Sequence, residues 1–96
     1  MSKNFKFAFS KWLEWLQNEK RISINTFDAY ERDLTKWSEF TSNLNNPKKK
    51  DFRSYMGYLL EKKNSRASIA RKISSIRNFY KFASHHILHS IYMHQI

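Results

Sequence analysis

The sequence predicts an all-α domain, and three observations carry that expectation. Apolar residues recur at helical spacing in four separate stretches. One Gly and one Pro leave too little punctuation for the turns of a strand-rich fold. A hydrophobic content of 41%, with 17% aromatic residues, supplies a core and argues against intrinsic disorder. The 96 residues suffice for one domain and are too few for two. With no cysteine, a disulfide scaffold, a thiolate zinc site and a cysteine nucleophile are excluded. No apolar run approaches the roughly 18–20 residues of a membrane span, and the opening MSKNFKFAF is no signal peptide. A soluble cytoplasmic domain with no membrane partner is expected.

Each helix is read from its apolar stripe and its ends. The first covers about residues 3–20, with Phe5, Phe9, Trp12, Leu13 and Leu16 on one stripe. Phe7 and Trp15 fall off that stripe, so cover on more than one side is expected. Lys20 and Arg21 suit its C-terminus. The second covers about 24–43, capped by Ser23 or Asn25, with Asp28, Glu31 and Asp33 placing negative charge in its early turns. Phe27, Tyr30, Leu34, Trp37 and Thr41 form its buried stripe, and Asn25, Ala29, Arg32 and Lys36 fall on the opposite face. Thr41 to Pro47 reads as a loop.

The third helix covers about 48–63, with Phe52, Tyr55, Met56, Leu59 and Leu60 pointing inward. Gly57 in its middle costs about 1 kcal/mol relative to Ala, and either permits a close helix approach or is merely tolerated. The fourth begins after Ser65 as N-cap and runs to about 86, with Ile69, Ile73, Ile76, Tyr80, Ala83 and Ile87 on its core stripe. Its opposite face carries Ala67, Ser68, Arg71, Ser74, Ser75 and Asn78 in the first half, which is expected to be exposed. Phe79 and Phe82 widen the apolar surface of the second half, which is expected to be buried on several sides. The remaining tail has no breaker, and either extends the helix or leads into a further segment.

Little supports catalysis. The eight carboxylates fall on helix surfaces beside Lys or Arg, where solvated ion pairs are the ordinary explanation. There is no Gly-rich phosphate loop and no nucleophile elbow. His85 and His89 have the i,i+4 spacing of a metal pair, with His86 and His94 nearby, but no Cys or acid completes a ligand set. Tyr30, Tyr55 and Tyr80 belong to core stripes, which argues against a nucleophilic tyrosine. No catalytic residue, metal or cofactor is expected, and the chain by itself is not an enzyme.

Charge points elsewhere. Eighteen Lys and Arg against eight Asp and Glu give +10. Residues 62–96 hold seven of the cations (Lys62, Lys63, Arg66, Arg71, Lys72, Arg77 and Lys81) and no acid. A field of one sign over a third of a domain favours a polyanion, nucleic acid before an anionic membrane. In SRASIARKISSIRNFYKF, Arg66, Arg71 and Arg77 alternate with Ala67, Ser68, Ala70, Ser74 and Ser75. Arginine grips phosphate or forks onto guanine, serine donates to phosphate oxygens, and small residues let the backbone approach DNA. Free N–H groups at the helix start near Ser65 suit a phosphate.

Two strings resemble a known family. Ser23-Ile-Asn-Thr-Phe-Asp-Ala-Tyr-Glu-Arg-Asp-Leu34, followed by Trp37 and Phe40, is similar to the S-x-x-T-x-x-x-Y-x-x-D-L-x-x-F signature of Xer-type tyrosine recombinases. Ala67-Ser-Ile-Ala-Arg-Lys-Ile-Ser-Ser-Ile-Arg-Asn-Phe-Tyr-Lys-Phe82 is similar to their T-I-x-R-x-L-S-A-L-R-x-F-Y-x-F. Ser68 stands where Thr is usual, and Ile73 and Ile76 replace Leu. Trp12-Leu-x-x-Leu16 also fits, so the resemblance covers roughly residues 3–86.

The resemblance implies a compact four-helix, SAM-like orthogonal bundle, the core-binding domain that forms half of a C-shaped clamp around a recombination site. Its second and fourth helices would meet the major groove of duplex DNA. Carried over, the contacts are Asn25, Thr26, Ala29 and Arg32, then Ala67, Ser68, Arg71, Lys72 and Ser75. Lys36 and Arg66 join them from the pattern of exposed cations. Periodicity separately turns Asn25, Ala29, Arg32, Arg71 and Ser75 away from the core, with Thr26 and Lys72 at the edges of their stripes. Residues 1–87 would be the DNA-binding domain and 88–96 the start of a linker toward a catalytic domain absent from this chain. The expected function is sequence-specific DNA binding within a nucleoid-associated site-specific recombinase, alongside other recombinase protomers. A free-standing helical DNA-binding regulator and a basic protein-interaction module are the alternatives.

Overall fold

Four α-helices follow one another without an intervening strand among the described residues, 3–85 of the computed structural model. They are α1 (Lys3–Asn18), α2 (Ile24–Phe40), α3 (Lys49–Glu61) and α4 (Arg66–Ala83). The all-α expectation holds; α1 and α2 end two and three residues before their expected bounds, and α3 ends two residues early. Ile87, His86, His89 and His94, the expected helical tail and the expected linker lie outside the described residues. No described helix is long and apolar enough to cross a membrane.

The helix ends explain themselves chemically. Ser23 caps α2 and Ser65 caps α4, each side-chain oxygen accepting the backbone N–H three residues on, at 3.2 Å from Thr26 and 3.1 Å from Ser68. At the start of α3 the Asp51 carboxylate accepts the Lys48 backbone N–H at 2.7 Å. That bond holds the Asp51 carboxyl below its ordinary range, against a smaller opposing effect of burial. Helix α2 stops at Phe40, so Thr41 becomes its C-cap rather than part of a buried stripe. Helix α3 closes in a Schellman turn, with Lys63 N–H on the Leu60 carbonyl and Asn64 N–H on the Leu59 carbonyl. Lys63 takes a left-handed φ of 66° to make it.

Helix α4 is the hub, packing against each of the other three. Its Phe79 lies among Phe5, Phe9 and Trp12 of α1, with ring centroids 5.2–6.1 Å apart. Trp12 in turn stacks on Tyr30 of α2 at 5.6 Å. On the other side Trp37 is fully buried, stacked on Phe52 and edge-on to Tyr55 of α3. Its indole Nε1 donates to the Tyr80 hydroxyl at 2.9 Å, and that hydroxyl donates to the Leu44 carbonyl at 2.6 Å. One phenol thus ties α2, α4 and the connection between α2 and α3. Burial pushes the phenols of both Tyr55 and Tyr80 up to about 12.

Trp12, Leu16, Leu34, Trp37, Leu59, Ile73 and Ile76 form one buried core as expected, with Tyr30 and Tyr80 half-buried at its margin. Phe79 and Phe82 are buried, so the second half of α4 is covered on several sides. Two expectations need correcting. Leu60, read as inward, is 57% exposed because it lies one residue past the buried Leu59 and so faces another side of α3. Phe7 is also exposed, whereas Trp15 tucks against Phe82 at 5.1 Å, so α1 gains only one of its two extra contacts. Of the two readings of Gly57, the tolerated glycine is the one that fits: a methyl group there would meet nothing within 4 Å.

Candidate nucleic-acid interface

The two serine caps give α2 and α4 the same beginning. In each, helix geometry leaves the first-turn amides, at Asn25 and at Ala67, without an intrahelical acceptor, and the positive end of the helix dipole lies there. Asn25, Arg32, Lys36, Arg66, Ala67 and Arg71 are exposed, and Thr26, Ala29, Ser68 and Lys72 are half-buried. Thr26 turns its hydroxyl to the cap, accepting from Ser23 Oγ at 2.9 Å. Among the described residues no side-chain hydrogen bond or ion pair engages Asn25, Arg32, Lys36 or Arg66. Arg77 is turned elsewhere, its guanidinium 5.9 Å from the centre of the Phe52 ring on α3.

Arg71, Lys72 and Ser75 come together on an acid. Asp33 of α2 is buried, and its carboxylate meets Arg71 Nη1 at 2.6 Å, Lys72 Nζ at 3.5 Å and Ser75 Oγ at 3.2 Å. The second Arg71 nitrogen, Nη2, lies 3.5 Å from the other carboxylate oxygen, so the guanidinium approaches as a fork. A buried carboxylate is costly without such partners, and two cations here surround one anion. Arg71 nevertheless keeps 44% of its side chain exposed, against 15% for Lys72 and none for Asp33.

This corrects two expectations. Ser75, read as facing away from the core, is only 1% exposed. Its single proton is contested by Asp33 at 3.2 Å and the Arg71 carbonyl at 3.1 Å, which leaves it no route to an outside ligand. Asp33, read as a solvated surface acid, is the anchor of the α2–α4 contact. The signal was present in the spacing. Asp33 lies three residues after Tyr30 and four before Trp37, on the apolar stripe, and Ser75 lies four before Phe79 and seven before Phe82. A polar residue on a core stripe needs a polar partner, and each is the other's.

Beside this cluster an open groove of about 670 Å³ runs between α2, α3 and the start of α4. Lys36, Lys62 and Lys72 line it together with Phe40, Tyr55 and Tyr58, and Glu39 is its one carboxylate. Lysines from α2, α4 and the end of α3 are thus brought to one groove. Among the described residues no group of three or more His, Asp or Glu side chains has the arrangement to hold a metal ion.

Fold and surface together define a small all-α domain whose second and fourth helices meet at the buried Asp33, with Arg71 and Lys72 gathered on it. Comparison with known proteins is specific: the chain belongs to the family of phage integrase N-terminal SAM-like domains, whose model matches residues 9–86. It is 37% identical over 84 residues to tyrosine recombinase XerC of Anoxybacillus flavithermus, covering 82% of this chain and 28% of that relative. To XerC of Listeria monocytogenes it is 38% identical over 77 residues, covering 75% and 26%. To tyrosine recombinase XerD of Staphylococcus aureus it is 36% identical over 78 residues, covering 76% and 26%. The chain spans about a quarter of the length of these curated relatives. No solved structure matches it.

Proposed function

We propose that this domain binds duplex DNA sequence-specifically, as the N-terminal part of a site-specific tyrosine recombinase that acts with other protomers at a recombination site. Residues 1–87 would form the DNA-binding unit and 88–96 the approach to a catalytic domain that breaks and rejoins DNA; this chain would bind without cutting. The observation that carries the reading is the surplus of exposed cations on two helices packed against each other: Arg32 and Lys36 on α2, Arg66 and Arg71 on α4, with no acid in α4. Cations would hold phosphates, while Ala29, Ala67 and Ser68 let the two helix starts come close to the groove. Family membership and the Xer recombinases among its relatives support the same assignment.

The roles divide by exposure. Arg32, Lys36 and Arg66 are exposed cations without side-chain partners among the described residues and would contribute phosphate contacts of little sequence preference. Arg71, with a forked head near small residues, would reach a base edge or an adjacent phosphate. Lys72 is held on Asp33 and would act mainly through the field it adds. Titration of a labelled duplex at several salt concentrations tests the reading. With about five phosphates neutralised, log K should fall against log salt with a slope of about −4 to −5. An affinity that does not change with salt would overturn DNA binding in favour of a protein-interaction module.

A further inference from the structure

We infer that Asp33 is a positioning residue for DNA recognition: it aims the Arg71 guanidinium outward and so sets sequence discrimination rather than overall affinity. This rests on the DNA-binding reading above and gives a role to a residue of the wrong charge to touch DNA itself.

The geometry supplies the argument. Asp33 takes Arg71 Nη1 at 2.6 Å and Nη2 at 3.5 Å, and its own side chain has no exposure. A guanidinium holds five N–H groups in one rigid plane, so fixing one edge on a buried carboxylate fixes where the remaining donors point. Those donors belong to a side chain that is 44% exposed. A free surface arginine loses rotamer freedom when it grips a ligand, whereas a tethered one has lost much of it in advance. The carboxylate is itself held, by Ser75 Oγ at 3.2 Å from within α4 and by Lys72 Nζ at 3.5 Å. The same acid therefore sets both the docking of α2 on α4 and the direction of Arg71.

Positioning and bulk electrostatics make opposite claims about Asp33→Asn. Removing an acid raises the net positive charge, which alone would tighten binding to any duplex. If Asp33 positions Arg71, the variant loses discrimination even as that charge rises. A preferred duplex is first selected from a random library with the full chain, and affinity for it is compared with affinity for a scrambled duplex of equal length. Asp33→Asn is expected to lower the preferred-to-scrambled ratio by roughly tenfold, with scrambled binding equal or tighter. In the Arg71→Ala background the same substitution is expected to change the ratio no further, because Asp33 acts through Arg71.

An unchanged ratio in Asp33→Asn, or an equal further loss on top of Arg71→Ala, would overturn the inference. Should Asp33→Asn fail to fold by circular dichroism, Arg71→Lys carries the test. It keeps the charge and the acid but lacks the fork, so the ratio is expected to fall with the salt slope unchanged; an intact ratio overturns the role. Wild-type chain that binds no duplex in a salt-dependent way would instead overturn the DNA-binding reading itself.

Discussion

Arg71 separates exposure from indifference. Judged by its 44% exposure alone, replacement by alanine would stay within about 0.5 kcal/mol of wild-type stability. Its head, however, is the nearest cation to a buried carboxylate, and truncation leaves Asp33 with Lys72 and Ser75 only. Arg71→Ala is therefore expected to cost about 1–2 kcal/mol, a range reduced for the solvent that already screens the pair. Arg66→Ala, at an exposed residue with no side-chain partner among the described residues, serves as the control, and urea melts with equal midpoints for the two variants would contradict the assignment. Gly57 is the opposite case. It has ordinary helical surroundings and empty space where a side chain would stand, so Gly57→Ala is expected to stabilise the domain by about 1 kcal/mol. A melt showing no gain would mean that the glycine serves something outside the folded domain.

At the scale of elements, the helix ends carry as much information as the stripes. Paired Ser-x-x-Thr and Ser-x-x-Ser starts define where α2 and α4 begin. The end of α3 is less comfortable, since Lys63 occupies a left-handed conformation that glycine would adopt without steric cost. Lys63→Gly is expected to raise stability by about 1 kcal/mol, with the Schellman hydrogen bonds to Leu59 and Leu60 retained. Amide exchange at Lys63 and Asn64 checks the second part: faster exchange in the variant would show that the turn had been lost rather than relaxed.

For the whole molecule, two phenols report on the integrity of the core. Tyr55 and Tyr80 have their ionisation raised from 10.0 to about 12, chiefly by burial. A folded-state value above the unfolded one means that the contribution is fully present below about pH 10 and is lost as pH rises toward 12. The domain is expected to unfold over that alkaline window, with part of the tyrosine absorbance change delayed and coincident with loss of helical circular dichroism. Tyr80→Phe removes one delayed phenol, and with it the links to Trp37 and Leu44. All phenols ionising together near 10 in a still-helical chain would contradict the packing around Trp37.

Helix number, order and approximate bounds were legible because a helix with one buried face writes its own 3.6-residue period into the chain. Ser65 was legible as a cap, and Ser23 as one of two candidates beside Asn25, because capping is a local matter of a few residues. The excess of cations at 62–96 is likewise a property of composition and needs no fold to be seen. Family likeness lay in two strings, each confined to a single helix. What periodicity missed was every feature requiring two distant residues to meet. Asp33 and Ser75 are 42 residues apart, and only the docking of α2 on α4 turns an apparent surface acid and an apparent surface hydroxyl into a buried pair. The Trp37–Tyr80–Leu44 chain spans comparable separations. By itself the sequence determined the helices, their polarity and the sign of the net charge. Tertiary structure decided that Arg71, Lys72 and Ser75 are held on Asp33, because burial and the sharing of one proton or one carboxylate depend on neighbours that only folding supplies.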